Sequence, residues 1–137
     1  YNRIRSRIRD LLQSVSLQHA PKIEIAIGEA LANALRESMD VRVKISLCGR
    51  RLMVRISDGG NGFDGKQRVA TFRAVDMESE FLDRLYSEGG RGILIMLAWM
   101  DQVIYSRKGN EVLLVKNLEP VRTEVNRDGD PSAKQRC

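Results

Sequence analysis

The stretch from Ile56 to Gly65 reads ISDGGNGFDG, and how it is read decides the fold. An alternating run, Leu52, Val54 and Ile56, stops at an acid, Asp58, and passes into four glycines within seven residues. Seven of the chain's eleven glycines lie either here or in GGRG, Gly89 to Gly92. Glycine loses more conformational freedom on folding than any other residue, so such clusters mark tight turns or a backbone that something approaches closely. No G-x-G-x-x-G stands directly between a first strand and its helix, and no parallel βαβ unit surrounds DGGNG, which weakens a dinucleotide-fold reading.

Outward from that stretch, the pattern alternates between helices and hairpins. Ile4, Ile8, Leu11, Leu12 and Val15 recur at helical spacing. The arginines at 3, 5, 7 and 9 spread around that helix as a solvated flank. LQHAP breaks the pattern, and Pro21 suits the first turn of a second helix. Ile23, Ile27, Ala30, Leu31, Ala34 and Leu35 form its stripe, which ends near Ser38. Val41, Val43, Ile45 and Leu47 alternate, and the turn CGRR joins them to the Leu52–Ile56 run as a hairpin. Residues 63 to 88 show no clean period and are expected to be a long, mobile loop of the kind that carries function. Ile93, Leu94, Met96, Leu97 and Met100 follow as a third helix, and VIYS and VLLV flank the turn RKGN as a second hairpin. From Asn117 the chain turns polar, so the domain is expected to span 1–116 with a polar tail over 117–137. Hairpin-paired strands with helices able to cover one face predict an α+β two-layer sandwich, its sheet mixed but mainly antiparallel.

Composition narrows the function. The 137 residues make one ordinary domain, and 42% hydrophobic with 30% charged content describes a soluble globular protein. No apolar run has the length of a membrane span, so no membrane role is expected. Because the chain starts at Tyr1, it is expected to be a piece of a longer product. Cys48, Cys137 and the single His19 build no zinc spacing, and a reducing, cytoplasmic setting is expected. The formal charge of +5 suits an anionic ligand or an acidic partner. Nucleic acid is not expected: aromatics are only 5%, and they do not interleave with the basic residues.

Three short elements carry candidate chemistry. Asp58, at a strand end, offers an acceptor-only carboxylate suited to the exocyclic amine of adenine, and Gly60 and Gly62 could let a flat base lie on bare backbone. The same residues also fit a plain turn. In EGGRG, Gly90 and Gly92 precede an apolar helix, whose first N–H groups and dipole favour anions, and Arg91 adds a fork of donors. A flexible loop entering a helix is the plainer alternative. In EALANA, Glu29 and Asn33 lie four apart on one helix face, at the border of the apolar stripe. They could be an ordinary surface pair, could hold hydrated Mg²⁺, or one could activate a nucleophile.

EALANAL, SDGGNGFD and EGGRGILIMLAWMD, in this order, resemble the N box and the two glycine boxes of the GHKL ATPases. Within that superfamily, GxGFD, GGRGILIM…MD and the closing GNEVLLVK are most similar to the anti-sigma factor serine kinases. The resemblance covers roughly Ile4 to Lys116 and implies a Bergerat-type ATP-binding fold. It further implies that Asp58 binds the adenine amine, with Gly60 and Gly62 shaping that end of the site. Asn33 would ligate Mg²⁺ and Glu29 would be the general base. Gly90 and Gly92 would present backbone to the phosphates beside Arg91, and the loop from Phe63 to Glu88 would be the ATP lid. The implied activity is ATP-dependent phosphorylation of a serine on a small anti-anti-sigma (STAS-like) protein in a partner-switching circuit, by a homodimer that also holds a sigma factor. Other readings are the catalytic domain of a histidine kinase and a module that binds ATP without transferring phosphate. Glu37 stands where many members carry histidine, and Asn110 where threonine is common. The strand that usually precedes the first helix is missing, which fits a domain cut from a longer chain.

Overall fold

The computed structural model describes residues 2–16, 18–74 and 90–118. Two helices come first, α1 (Asn2–Val15) and α2 (Ala20–Glu37). Pro21 lies in the first turn of α2, where its missing N–H costs no hydrogen bond. Ile23, Ala26, Ile27, Ala30, Leu31 and Ala34 form the buried stripe of α2. Its alanines let the helix lie close over the sheet and against the later helix. The stripe of α1 is only half used: Ile8 and Leu12 are buried, while Ile4 and Leu11 remain exposed. An ion pair from Arg9 to Glu24, 2.7 Å long, ties α1 to α2. The hydrogen bond from Arg9 holds the Glu24 carboxyl below its ordinary range.

Strands β1 (Val41–Cys48) and β2 (Arg51–Asp58) pair antiparallel from Val41 opposite Asp58 to Cys48 opposite Arg51. Gly49, at φ 60°, makes the two-residue turn between them. Helix α3 (Gly65–Ala74) follows β2, and α4 (Arg91–Trp99) leads into β3 (Gln102–Tyr105) and β4 (Glu111–Asn117). The sheet order is β1-β2-β4-β3, and every pairing is antiparallel. The expected mixed sheet is therefore corrected: among the described residues there is no parallel pair. The reason is positional. The excursion through α3 and α4 returns β3 in the direction of β2, but β4 folds back between them and converts both contacts to antiparallel. Gly60, Gly62 and Gly65 do carry G-x-G-x-x-G spacing between β2 and α3, yet no βαβ unit accompanies them.

The loop expected over 63–88 is also corrected in part, because Gly65–Ala74 is helical. Only Val69 and Phe72 of its apolar side chains are buried, a stripe too short to register as periodicity. Residues 75–89 lie outside the described residues. At the other end, β4 runs through Asn117, and the Leu118 N–H donates to Arg50 O at 2.7 Å, so the sheet overlaps the start of the expected tail. Residues 119–137 lie outside the described residues. Among those described, no helix is long and apolar enough to cross a membrane.

Candidate functional site

Asp58 is the last residue of β2, and two bonds to Asn110 clamp its backbone. The Asp58 N–H donates to Asn110 O at 2.9 Å, and Asn110 Nδ2 donates to Asp58 O at 3.1 Å. The carboxylate is then aimed by its own turn, because Oδ1 accepts the Gly60 N–H at 2.8 Å. Among the described residues Oδ2 has no partner, which leaves it for a ligand. Gly60 serves packing as well as openness. A Cβ there would lie 2.8 Å from Glu37 Cβ and 3.0 Å from Glu37 O, so the last turn of α2 already occupies that side. Gly62, at φ +78°, adopts a backbone that side-chain-bearing residues disfavour, and a Cβ would run into the Lys108 carbonyl.

The second cluster joins α2 to α4. Glu29 and Asn33 are both half-buried and face the first turn of α4. A Cβ on Gly92 would lie 2.9 Å from Glu29 Oε2 and 3.6 Å from Asn33 Nδ2, so the missing side chain is what leaves room for the Glu29 carboxylate beside Asn33. Gly90 is the N-cap of α4 and brings no side chain to that helix start. Arg91 is exposed on that same turn.

Asn33 connects the two clusters. It lines a small cavity of about 20 Å³ together with Asp58, Phe63, Tyr105 and Asn110. It also lines an open cleft of about 180 Å³ with Arg36, Glu37, Phe63, Arg68 and Ile93. The small cavity has room for about one water molecule, and one side of it is an aromatic wall. That wall is Phe63 edge-on to Tyr105, with centroids 5.0 Å apart and planes at 79°. Tyr105 is 5% exposed. Burial pushes its phenol up to about 12, against a weaker opposing influence of the nearby Asn33 amide, so it stays neutral at working pH.

Four of these residues escaped the sequence reading. Arg36 lies three residues beyond Asn33 on the same helix face, a spacing that was available to find it. Arg68 sits on α3, paired to Asp64 at 3.2 Å, and needed that helix to be visible. Phe63 entered that reading only as the start of the expected loop, and Tyr105 only within the strand VIYS. No group of three His, Cys, Asp or Glu that could hold a metal exists among the described residues. A sparser site is compatible with Mg²⁺, which takes few protein oxygens beside phosphate and water, and the Glu29–Asn33 pair beside bare Gly92 fits that donor set.

Residues 1–116 match the family model described as the histidine kinase-like ATPase domain. The chain is 31% identical over 109 residues to the serine-protein kinase RsbW of Bacillus velezensis, covering 74% of this chain and 67% of that protein. It is 26% identical over 111 residues to the serine-protein kinase RsbW of Listeria monocytogenes serovar 1/2a, covering 76% and 69%. Against the protein of that name in Bacillus subtilis strain 168 it is 29% identical over 109 residues, covering 74% and 67%.

Proposed function

The chain belongs to the histidine kinase-like ATPase domain family, and from that premise we propose that it is an ATP-dependent serine-protein kinase acting in a partner-switching circuit. Its protein substrate is a small anti-anti-sigma (STAS-like) partner. It works in the cytoplasm as a homodimer that also holds a sigma factor, with residues 1–116 in the kinase domain. One observation carries the chemistry: Glu29 Oε2 and the Asn33 amide converge on Gly92, in the first turn of α4. A carboxylate and an amide meet there beside a helix N-terminus, groups suited to the transfer of a charged phosphoryl group.

In this reading Asp58 takes the adenine amine on Oδ2, with Gly60 and Gly62 forming that end of the slot. Gly90, Arg91 and Gly92 receive the phosphates, helped by Arg36 and Arg68 across the cleft. Asn33 would hold Mg²⁺, which supplies charge neutralisation on the phosphates. Glu29 accepts the proton of the serine hydroxyl as the serine oxygen bonds to the γ-phosphorus and the bond to the ADP oxygen breaks. The test is incubation with labelled ATP and small STAS-like proteins, followed by mapping of the labelled residue. Serine phosphate on the partner is the expected result. Nucleotide binding with no label on any partner would leave only a binding module.

A further inference from the structure

Among the described residues, two buried side-chain polar atoms have no hydrogen-bond partner: His19 Nε2 and Tyr105 Oη. A buried hydroxyl without a partner costs free energy, so its presence calls for a reason. The Tyr105 ring cannot swing away to find one. Phe63 stands edge-on to it at 5.0 Å, and the chain at Gly65 passes so close that a Cβ there would lie 2.6 Å from Tyr105 Cγ. The hydroxyl is thus held in the wall of the small cavity that Asn33 and Asp58 also line.

We propose that Tyr105 is a positioning residue for Asn33. Its phenol oxygen accepts a hydrogen bond from Asn33 Nδ2 when nucleotide and cation fill the cleft, so that Oδ1 faces the cation. This rests on the reading of Asn33 as the metal ligand given above. An amide has two ends of equal size, and shape alone does not decide which one faces the cation. Coordination of Oδ1 would draw electron density from the amide, making Oδ1 a poorer acceptor and Nδ2–H a better donor. A neutral phenol can accept that bond. Phenylalanine at this position would leave the amide to be oriented by the cation alone. In this structure the hydroxyl lies near Asn33 without completing the bond.

The test compares Tyr105→Phe with wild type by calorimetric titration of ATP, once with Mg²⁺ and once with EDTA. A thermal melt of the unliganded protein accompanies each titration. The substitution removes one oxygen and keeps the ring. Because that oxygen has no partner in the unliganded fold, the melting midpoint should stay level or rise. Affinity in EDTA should not change. The gain in affinity on adding Mg²⁺ should fall roughly three- to ten-fold, the worth of one oriented hydrogen bond. In an Asn33→Ala background, Tyr105→Phe should then add no further loss. An equal Mg²⁺ gain in wild type and Tyr105→Phe would overturn the assignment, and so would an equal loss with and without Mg²⁺, which would mark a shape effect. Wild-type protein with no affinity for ATP in either buffer would sink the nucleotide reading itself.

Discussion

Asp58 is fixed from three directions before any ligand arrives: by its place in β2, by the two bonds to Asn110, and by the Gly60 N–H on Oδ1. A preset acceptor loses little entropy on binding, so its removal should appear as lost affinity rather than lost fold. Asp58→Ala is expected to weaken ATP binding about ten- to hundred-fold, the worth of a charge-assisted hydrogen bond of roughly 1.5–3 kcal/mol. Calorimetry giving the wild-type constant for a folded variant would refute the assignment. Glu29 and Asn33 should fail in different ways despite sharing one helix face. Glu29→Gln keeps shape and hydrogen bonding but cannot take a proton, so ATP should still bind while serine phosphorylation falls about 10²–10⁴-fold in a timed assay. Asn33→Ala should instead lower Mg²⁺-dependent binding and take phosphorylation down with it. A normal transfer rate in Glu29→Gln would mean that this carboxylate only helps shape the cleft.

Helix α2 was the most legible element, because its stripe from Ile23 to Ala34 follows helical period and Pro21 marks its start. Both hairpins were equally plain, since Leu52, Val54 and Ile56, then Val112 and Leu114, alternate into the core. Helix α3 was not. It buries only Val69 and Phe72 of its apolar side chains, and what holds it is tertiary: Gly65 presses against the rings of Tyr105 and Phe63. No local pattern encodes a contact forty residues away in sequence. The same limit hid Tyr105, which sequence alone shows only as the end of a strand. The glycine clusters were visible as sites of close approach, but not what approaches: Glu37 at Gly60, Glu29 at Gly92. The docking of α3 can be tested directly. A Cβ at Gly65 would meet Tyr105 Cγ at 2.6 Å and Phe63 Cζ at 3.0 Å, so Gly65→Ala must move the helix or the rings. Overpacking of this kind costs about 1–3 kcal/mol, and urea titration should show a lower midpoint. An unchanged midpoint would mean that α3 is not anchored at Gly65.

Across the whole molecule, the cleft lies where β4 enters between β2 and β3, so the strand that completes the sheet also sets the walls of the site. Asn110, just before β4, clamps Asp58, while Leu114 within β4 is fully buried in the core. Stability and binding can therefore be separated along one strand. Leu114→Ala removes core volume away from the cleft and should cost about 2–5 kcal/mol. The clamp and the carboxylate stay in place, so intrinsic affinity for ATP should hold. A ligand that binds only the folded state adds RT ln(1 + [L]/Kd), about 2.7 kcal/mol at a hundredfold excess over Kd, whatever the starting stability. In thermal melts with and without saturating Mg²⁺-ATP, Leu114→Ala should start from a lower midpoint yet rise with ligand about as far as wild type. Asp58→Ala should do the reverse, starting near the wild-type midpoint and rising little. If folded Leu114→Ala showed no ligand-induced rise, core packing and site geometry would be a single cooperative unit, and affinity losses in this fold could not be assigned to individual cleft residues.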